Sequence, residues 1–410
     1  MIILVLLSFN TLSAQNRKPI NIDVIKAIGN EKMEYLSTYA KDILYIPLET
    51  KKESLIKEII KIVVEKNKIF ILSDGKSILI FDIKGNFIGK VNRNGRGPQE
   101  YTNIVSFLVD PVSENICILS SQGVFEYDIK GNFIYKIDKI PEATPINSFL
   151  KVKDGVFLVN WSKLKDTKGM TPLLSSNSIL YKDGKHQNLY TYSQKATNVT
   201  KGLSGPLMLV FQGHQYSLYK YGESIRAERA NNDTIVTIDS KFRITPEYIF
   251  NFGKYGFKPG DDTYEKMILD DEKIITKSPP VYETANDLFL NFTFRGLTPE
   301  PFETSYQISD NKTHIVKHTE VKAIYNKKSK ELRLLKRPYK EKSGLVENIQ
   351  YGPEFWPKSI NSKNELISFI SASKLMNYCS EKKGDKSKVD AIASKLNEED
   401  NPVVVIVIPK

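Results

Sequence analysis

Four groups of residues in this chain have types and spacings that invite chemistry. His314 and His318 stand four apart, the spacing that on a helix brings two imidazoles to one metal ion. Their surroundings, Thr313–Ile324, alternate like a strand, which separates the pair by about 13 Å and leaves it without a third ligand. Asp261-Asp262 and Asp270-Asp271-Glu272 concentrate acid, but neither forms the alternating oxygen loop with a central glycine that calcium needs. They read as solvated loops. Gly95-Arg96-Gly97-Pro98 has the glycines of a phosphate loop without its Lys-Ser/Thr ending or a following helix. Gly95 and Gly97 are expected to supply unusual backbone angles, and Glu100 and Tyr101 to anchor the loop by hydrogen bonds. Arg96 and Glu100 are the side chains there that could meet a ligand.

The fourth group is aromatic. Tyr351, Phe355 and Trp356 crowd into YGPEFWP, and Trp161 precedes a polar stretch. Such rings stack on a sugar or plug the space between packed elements. His186 and His214 fall in turns. No Ser-His-Asp order, nucleophile elbow or catalytic carboxylate pair stands out, and no cofactor is predicted.

The charge balance narrows the partners. The net charge is +11, with 59 Lys and Arg against 48 Asp and Glu. The basic residues are mostly scattered lysines, not the clustered arginine-bearing stripe of a nucleic-acid module. Lysine also protects exposed strand edges. The two cysteines, Cys117 in an apolar strand pattern and Cys379 in a polar stretch, make no disulfide framework or metal spacing.

Residues 1–14 open with the apolar run Ile2–Leu7 and end on Ser13-Ala14, an export signal without the usual basic start. The true start is therefore expected upstream. No cysteine follows the run to carry a lipid, and no later segment is apolar enough to span a bilayer. Residues 15–41 read as a polar N-terminal segment of variable structure. Residues 42–410 read as one domain.

What must position these groups is a set of short strands. The heptapeptide DIKGNFI occurs at Asp82–Ile88 and again at Asp128–Ile134, 46 residues on (82 to 128). The ILS triplets Ile71–Ser73 and Ile118–Ser120 are 47 apart (71 to 118). A period in the forties holding several strands marks a propeller blade. Weaker copies follow through Val152–Asn160, Ser178–Tyr190, Leu207–Phe252, Tyr282–Phe294, Thr313–Leu335, Ile349–Trp356 and Leu366–Ser371. Leu55–Val64 also reads as strand, and a short helix is expected over Asp262–Leu269. Val389–Leu396 has a helical apolar face.

The last strand, Val403–Ile408, is too apolar to stand at an open edge. Pairing it with Ile43–Leu48 in one blade closes the ring. About 390 residues shared by six blades gives roughly 65 each, more than a compact repeat needs, and the polar insertions absorb the excess. The expected fold is an all-β, six-bladed β-propeller closed by N- and C-terminal strands in one blade.

Three segments carry a resemblance. NGRGPQEY at Asn94–Tyr101 follows a strand–DxxGN–strand hairpin, Asn232–Val236 reads NDTIV, and Asn401–Val405 reads NPVVV. Together they resemble the exported, NHL-like six-bladed propeller family of Bacteroidetes cell envelopes, over nearly the whole chain. The resemblance implies export and work beside outer-membrane nutrient uptake, and brings no catalytic residues. The missing cysteine departs from the family's lipoproteins and points to a periplasmic or secreted protein.

The reading is therefore an exported propeller that binds an envelope protein, a glycan or a peptide, as a monomer and without nucleic acid. The alternative is a hydrolase or lyase of the propeller lactonase type, with a divalent metal in the channel. Function is expected in the parts that do not repeat: Asn94–Tyr101, Lys163–Ser176, Lys254–Ser278 and Tyr351–Trp356.

Overall fold

The computed structural model describes residues 18–140, 146–164, 173–194, 216–229, 233–256, 273–297, 302–307, 313–336, 344–382 and 387–410. The signal segment, the helix expected at Asp262–Leu269, the acidic groups nearby and His214 lie outside them.

Two strands precede the first blade: β1 (Ile20–Asp23) and, after the short helix α1 (Leu36–Tyr39), β2 (Ala40–Pro47). Blade one is β3 (Lys61–Glu65), β4 (Lys68–Leu72), β5 (Ile78–Asp82) and β6 (Phe87–Val91). Blade two is β7 (Ser106–Val109), β8 (Ile116–Ser120), β9 (Gly123–Tyr127) and β10 (Phe133–Asp138). Blade three is β11 (Ile146–Lys153), β12 (Val156–Leu164), β13 (Leu173–Tyr181) and β14 (His186–Gln194). Blade four is β15 (Tyr216–Tyr221), β16 (Ser224–Arg229), β17 (Thr234–Ile238) and β18 (Ile244–Asn251). Blade five is β19 (Ile274–Glu283), β20 (Asp287–Arg295), β21 (Phe302–Gln307), β22 (Thr313–Asn326) and β23 (Glu331–Leu334), with β21 and β23 both paired to the long β22. Blade six is β24 (Ser359–Ile360) and β25 (Leu366–Ile370), then helices α2 (Ala372–Glu381) and α3 (Lys388–Ala393), then β26 (Val403–Pro409).

The sixth sheet runs β24-β25-β26-β2, so strands from opposite ends of the chain complete one blade, as the apolar last strand requires. β26 is buried from Val403 to Val407 because both its faces are used. Val403, Val405 and Val407 pack toward blade five, and Val404 and Ile406 toward blade one. Each such side chain contributes about 1.5–3 kcal/mol on burial. The core as a whole is divided in the same manner into apolar layers between neighbouring blades.

The repeated heptapeptide is the turn between third and fourth strands. Asp82 Oδ1 accepts from the backbone N–H of Lys84 and Asn86, Asn86 Nδ2 donates to Asp82 Oδ2, and Gly85 takes φ +90°. Asp128, Lys130, Gly131 and Asn132 repeat every contact. An aspartate that bonds its own following N–H groups holds the chain reversed.

The N-terminal segment is more ordered than its polar composition suggests. β1 pairs in parallel with β18 as a fifth strand of blade four. The chain then bridges Lys32 to Leu335 and Tyr35 to Val346 before entering β2, so it crosses blades four, five and six as a belt. Two further expectations are corrected. Of the Leu55–Val64 stretch only the residues from Lys61 onward are strand, the start of β3. Ile349–Trp356 is irregular, touching a ladder only where Phe355 bridges Leu345, because Gly352, Pro353 and Pro357 interrupt pairing.

Candidate functional site

The two faces of the ring are unlike. Apart from the added β1, neighbouring strands in a blade are antiparallel, so first-to-second and third-to-fourth turns lie on one face. Second-to-third turns and the passages between blades lie on the other. The first, the hairpin face, is closed by tight turns such as Lys66-Asn67, Asp154-Gly155 and Asn361–Glu365, the last bonded to Glu65; the turn Asp82–Asn86 lies at the outer edge of its blade, against Glu49 of the preceding passage. The second, the crossover face, receives Asn92–Val105, the ends of β12 and β13, the passage from β18 to β19, the passage from β23 to β24, and α2 and α3. All four non-repeating stretches begin or end on this face.

The loop Asn94–Tyr101 is built around two side chains. Glu100 accepts from the Gly97 N–H at 2.9 Å. Tyr101 is fully buried; its hydroxyl accepts from the Arg93 N–H and donates to the Lys76 carbonyl at 2.9 Å. Burial pushes the Tyr101 hydroxyl up to about 12, so it stays protonated. The role of the glycines differs from the expectation. Neither Gly95 nor Gly97 adopts a left-handed φ; a Cβ on Gly95 would lie 1.9 Å from Glu100 Oε2, so glycine makes room for the carboxylate. Arg96 is exposed.

The aromatic residues separate. Trp161 is buried in the layer between blades two and three, and its indole donates to Ser178 Oγ at 2.8 Å. Phe355 is buried and Trp356 half-buried in the layer between blades five and six. Trp356 meets Phe289 edge-on and donates to Asn291 Oδ1 at 3.0 Å. Tyr351 alone of the four is exposed, at 60%, with the Lys382 amine 5.7 Å from its ring centre.

Charges are buried at the blade junctions. Between blades four and five, Glu283 accepts from Arg226 Nε, Lys327 Nζ and the hydroxyls of Tyr219 and Tyr248. Beside it, Lys277 and Glu228 pair at 2.7 Å with no exposure. Between blades two and three, Lys151 bridges Asp110 and Glu126 at 2.9 Å each. These groups stand at strand positions without a motif, and reading the sequence missed them. A lysine or glutamate inside an otherwise apolar strand was the available signal. Among the described residues no three His, Cys, Asp or Glu side chains converge as a metal site. His314 and His318 lie on β22 as expected, and Cys117 and Cys379 are separate free thiols.

The third motif explains itself. Asn401 is buried, and its Nδ2 donates to the carbonyls of Glu49 at 2.8 Å and Ser54 at 2.9 Å. Its Oδ1 accepts from the Ile56 N–H at 2.8 Å. One amide therefore ties the start of β26 to the passage that leaves β2.

Six blades of four or five strands, ring closure by strands from opposite ends of the chain and one elaborated face define a six-bladed β-propeller. The chain belongs to the family described as a domain of unknown function, DUF4934, whose model matches residues 19–408. It is similar to a crystal structure from Bacteroides fragilis, described as a candidate exported protein, at 18% identity and TM-score 0.62, covering 96% of this chain and 100% of that one. A DUF4221 family member from Bacteroides vulgatus matches at 14% identity and TM-score 0.39, over 68% of this chain and 85% of that one. No curated protein matches. No helix among the described residues is long and apolar enough to cross a membrane.

Proposed function

We propose that this protein is an exported binding propeller of the bacterial cell envelope, in the manner of NHL-like propellers, and that its macromolecular partner docks on the crossover face. The observation that carries this is the asymmetry of the ring. Every long, non-repeating connection begins or ends on one face, while tight turns such as Lys66-Asn67 and Asp154-Gly155 close the other. Variable loops on a rigid scaffold are where binding surfaces are built. The apolar run at the chain's start and the likeness to a candidate exported protein support export. A protein of the envelope, or a glycan or peptide under uptake, fits the resemblance of the motifs.

A photocrosslinking amino acid at exposed Gln99 or Thr102 tests the crossover face, and one at exposed Lys66 or Asp154 the hairpin face. In envelope extract, adducts are expected from the first two sites alone. Adducts confined to Lys66 and Asp154, or none anywhere together with an empty glycan array, would overturn the proposal.

A further inference from the structure

The inner strands carry a tier of polar side chains that the packing does not require. Lys61 on β3 pairs across to Leu72, and Ser106 on β7 to Leu119. Leu72 and Leu119 are the same position of the repeated ILS triplet, so Lys61 and Ser106 occupy equivalent places in their blades. The corresponding residue, opposite the second-strand side chain on the same face of the sheet, is Ser148 on β11, Ser217 on β15 and Ser278 on β19. Their partners are Asn160, Glu228 and Asn291. One cation and four hydroxyls thus share one level of five neighbouring inner strands, toward the crossover mouth. Successive inner strands from β3 through β19 approach one another, so the level is continuous. On four of these strands an adjacent residue is buried: Ile62, Phe107, Phe149 and Lys277. The tier residues point the other way and all five keep partial exposure.

Lys61 is the unusual member. Its amine donates to Ser106 Oγ at 2.9 Å and lies 5.8 Å from the Phe107 ring centre. It has no carboxylate partner among the described residues, although the two buried inner-strand lysines, Lys151 and Lys277, are each paired with acid. Burial alone depresses it to about 8; no charged group on a neighbouring element contributes. Ser148 Oγ is enclosed and has no hydrogen-bond partner. Lys358 stands at the entrance to β24, its amine 3.7 Å over the Phe369 ring. A partly enclosed cation without a counter-ion and an unsatisfied hydroxyl at one level mark a place for acceptor oxygens.

We propose that this tier is a subsite for a small anion bearing carboxylate or sulfate oxygens, held by Lys61 and the ring of serine hydroxyls at the crossover mouth of the channel. A uronic acid or sulfated sugar has the matching chemistry: one negative charge for the amine and further oxygens for the hydroxyls. The inference is independent of which face meets a macromolecular partner.

Calorimetric titration of the full chain with glucuronate, inorganic sulfate and neutral glucose tests it. Glucuronate or sulfate is expected to bind, glucose at least tenfold more weakly. Lys61→Met should lose at least tenfold, and Lys61→Arg should retain binding. The wild type should bind less tightly as pH rises from 7 to 9.5, because the amine discharges through 8. Lys61→Arg should be flat over that range, an internal reading that stands even if Lys61→Met does not fold. No binding of either anion at millimolar concentration, equal binding of glucose, or a pH response identical in wild type and Lys61→Arg would overturn the proposal.

Discussion

Replacing Asn401 by alanine tests ring closure with a single amide. The substitution removes three hydrogen bonds, to Ile56 N–H and to the carbonyls of Glu49 and Ser54. Glu49 is near enough to solvent to recruit water, but Ser54 and Ile56 are buried. One donor and one acceptor are therefore stranded, at about 1–3 kcal/mol each, or roughly 2–6 kcal/mol in all. An unfolding entropy of about 2.1 cal/mol/K per residue over about 390 residues gives roughly 0.8 kcal/mol/K, so the melting temperature should fall by about 3–7 °C. Differential scanning calorimetry at pH 7 measures this. Asn401→Asp sharpens the test, because it keeps the acceptor for Ile56 but sets a carboxylate against two carbonyls. Its loss should equal or exceed that of alanine at pH 7. It should shrink toward pH 4, where the protonated acid can donate again. If alanine shifts the melt by less than 1 °C, or aspartate shows no added pH response, the amide does not lock the ring.

Gly85→Ala should destabilise by more than Gly75→Ala in chemical denaturation. Both have left-handed φ, worth about 1–2 kcal/mol for a side chain, but only at Gly85 would the Cβ meet a backbone atom, Pro47 O at 2.0 Å. Gly95→Ala should be strongly destabilising alone and milder in a Glu100→Ala background, a coupling that a double-mutant cycle reads directly. Glu283→Ala should cost about 3–5 kcal/mol, because it leaves the buried Arg226 and the half-buried Lys327 short of acid. Acid should loosen the junction of blades two and three. Burial raises the Asp110 and Glu126 carboxyls, but bonds from Lys151 among others hold both below their ordinary range. Their stabilisation is present above the unfolded pKa and lost as pH falls through the folded one. Lys151→Met should narrow the stability difference between pH 7 and pH 3, measured by urea titration.

The architecture was legible wherever local chemistry repeats. Asp82, Gly85 and Asn86 announce a turn because only such residues make it, and their recurrence at Asp128, Gly131 and Asn132 announced the blade. The fourth blade hides the same turn: Asp239 bonds the N–H groups of Lys241 and Arg243, but Phe242 takes the positive φ where glycine would signal it. β1 was illegible for another reason, since four residues pairing with a strand more than 220 positions away leave no periodic pattern. Glu100 and Tyr101 were read as loop anchors from residue type alone. The Lys61 tier was invisible because successive serines 42 to 69 positions apart (106, 148, 217, 278) become equivalent only through strand register.

The belt and the closing strand set the order in which this chain can fold. β1 and β2 are the first strands to leave the ribosome, yet β1 awaits β18 and β2 awaits β26, the last strand made. β1 can pair once β18 has emerged, but β2 must wait for β26. Until then the ring stays open, β2 is unpaired and the apolar layer beside Val403–Val407 is uncovered. A chain in that state is one that a holding chaperone would recognise. Completion then falls to one late event, the arrival of β26 between β25 and β2, which seals the blade.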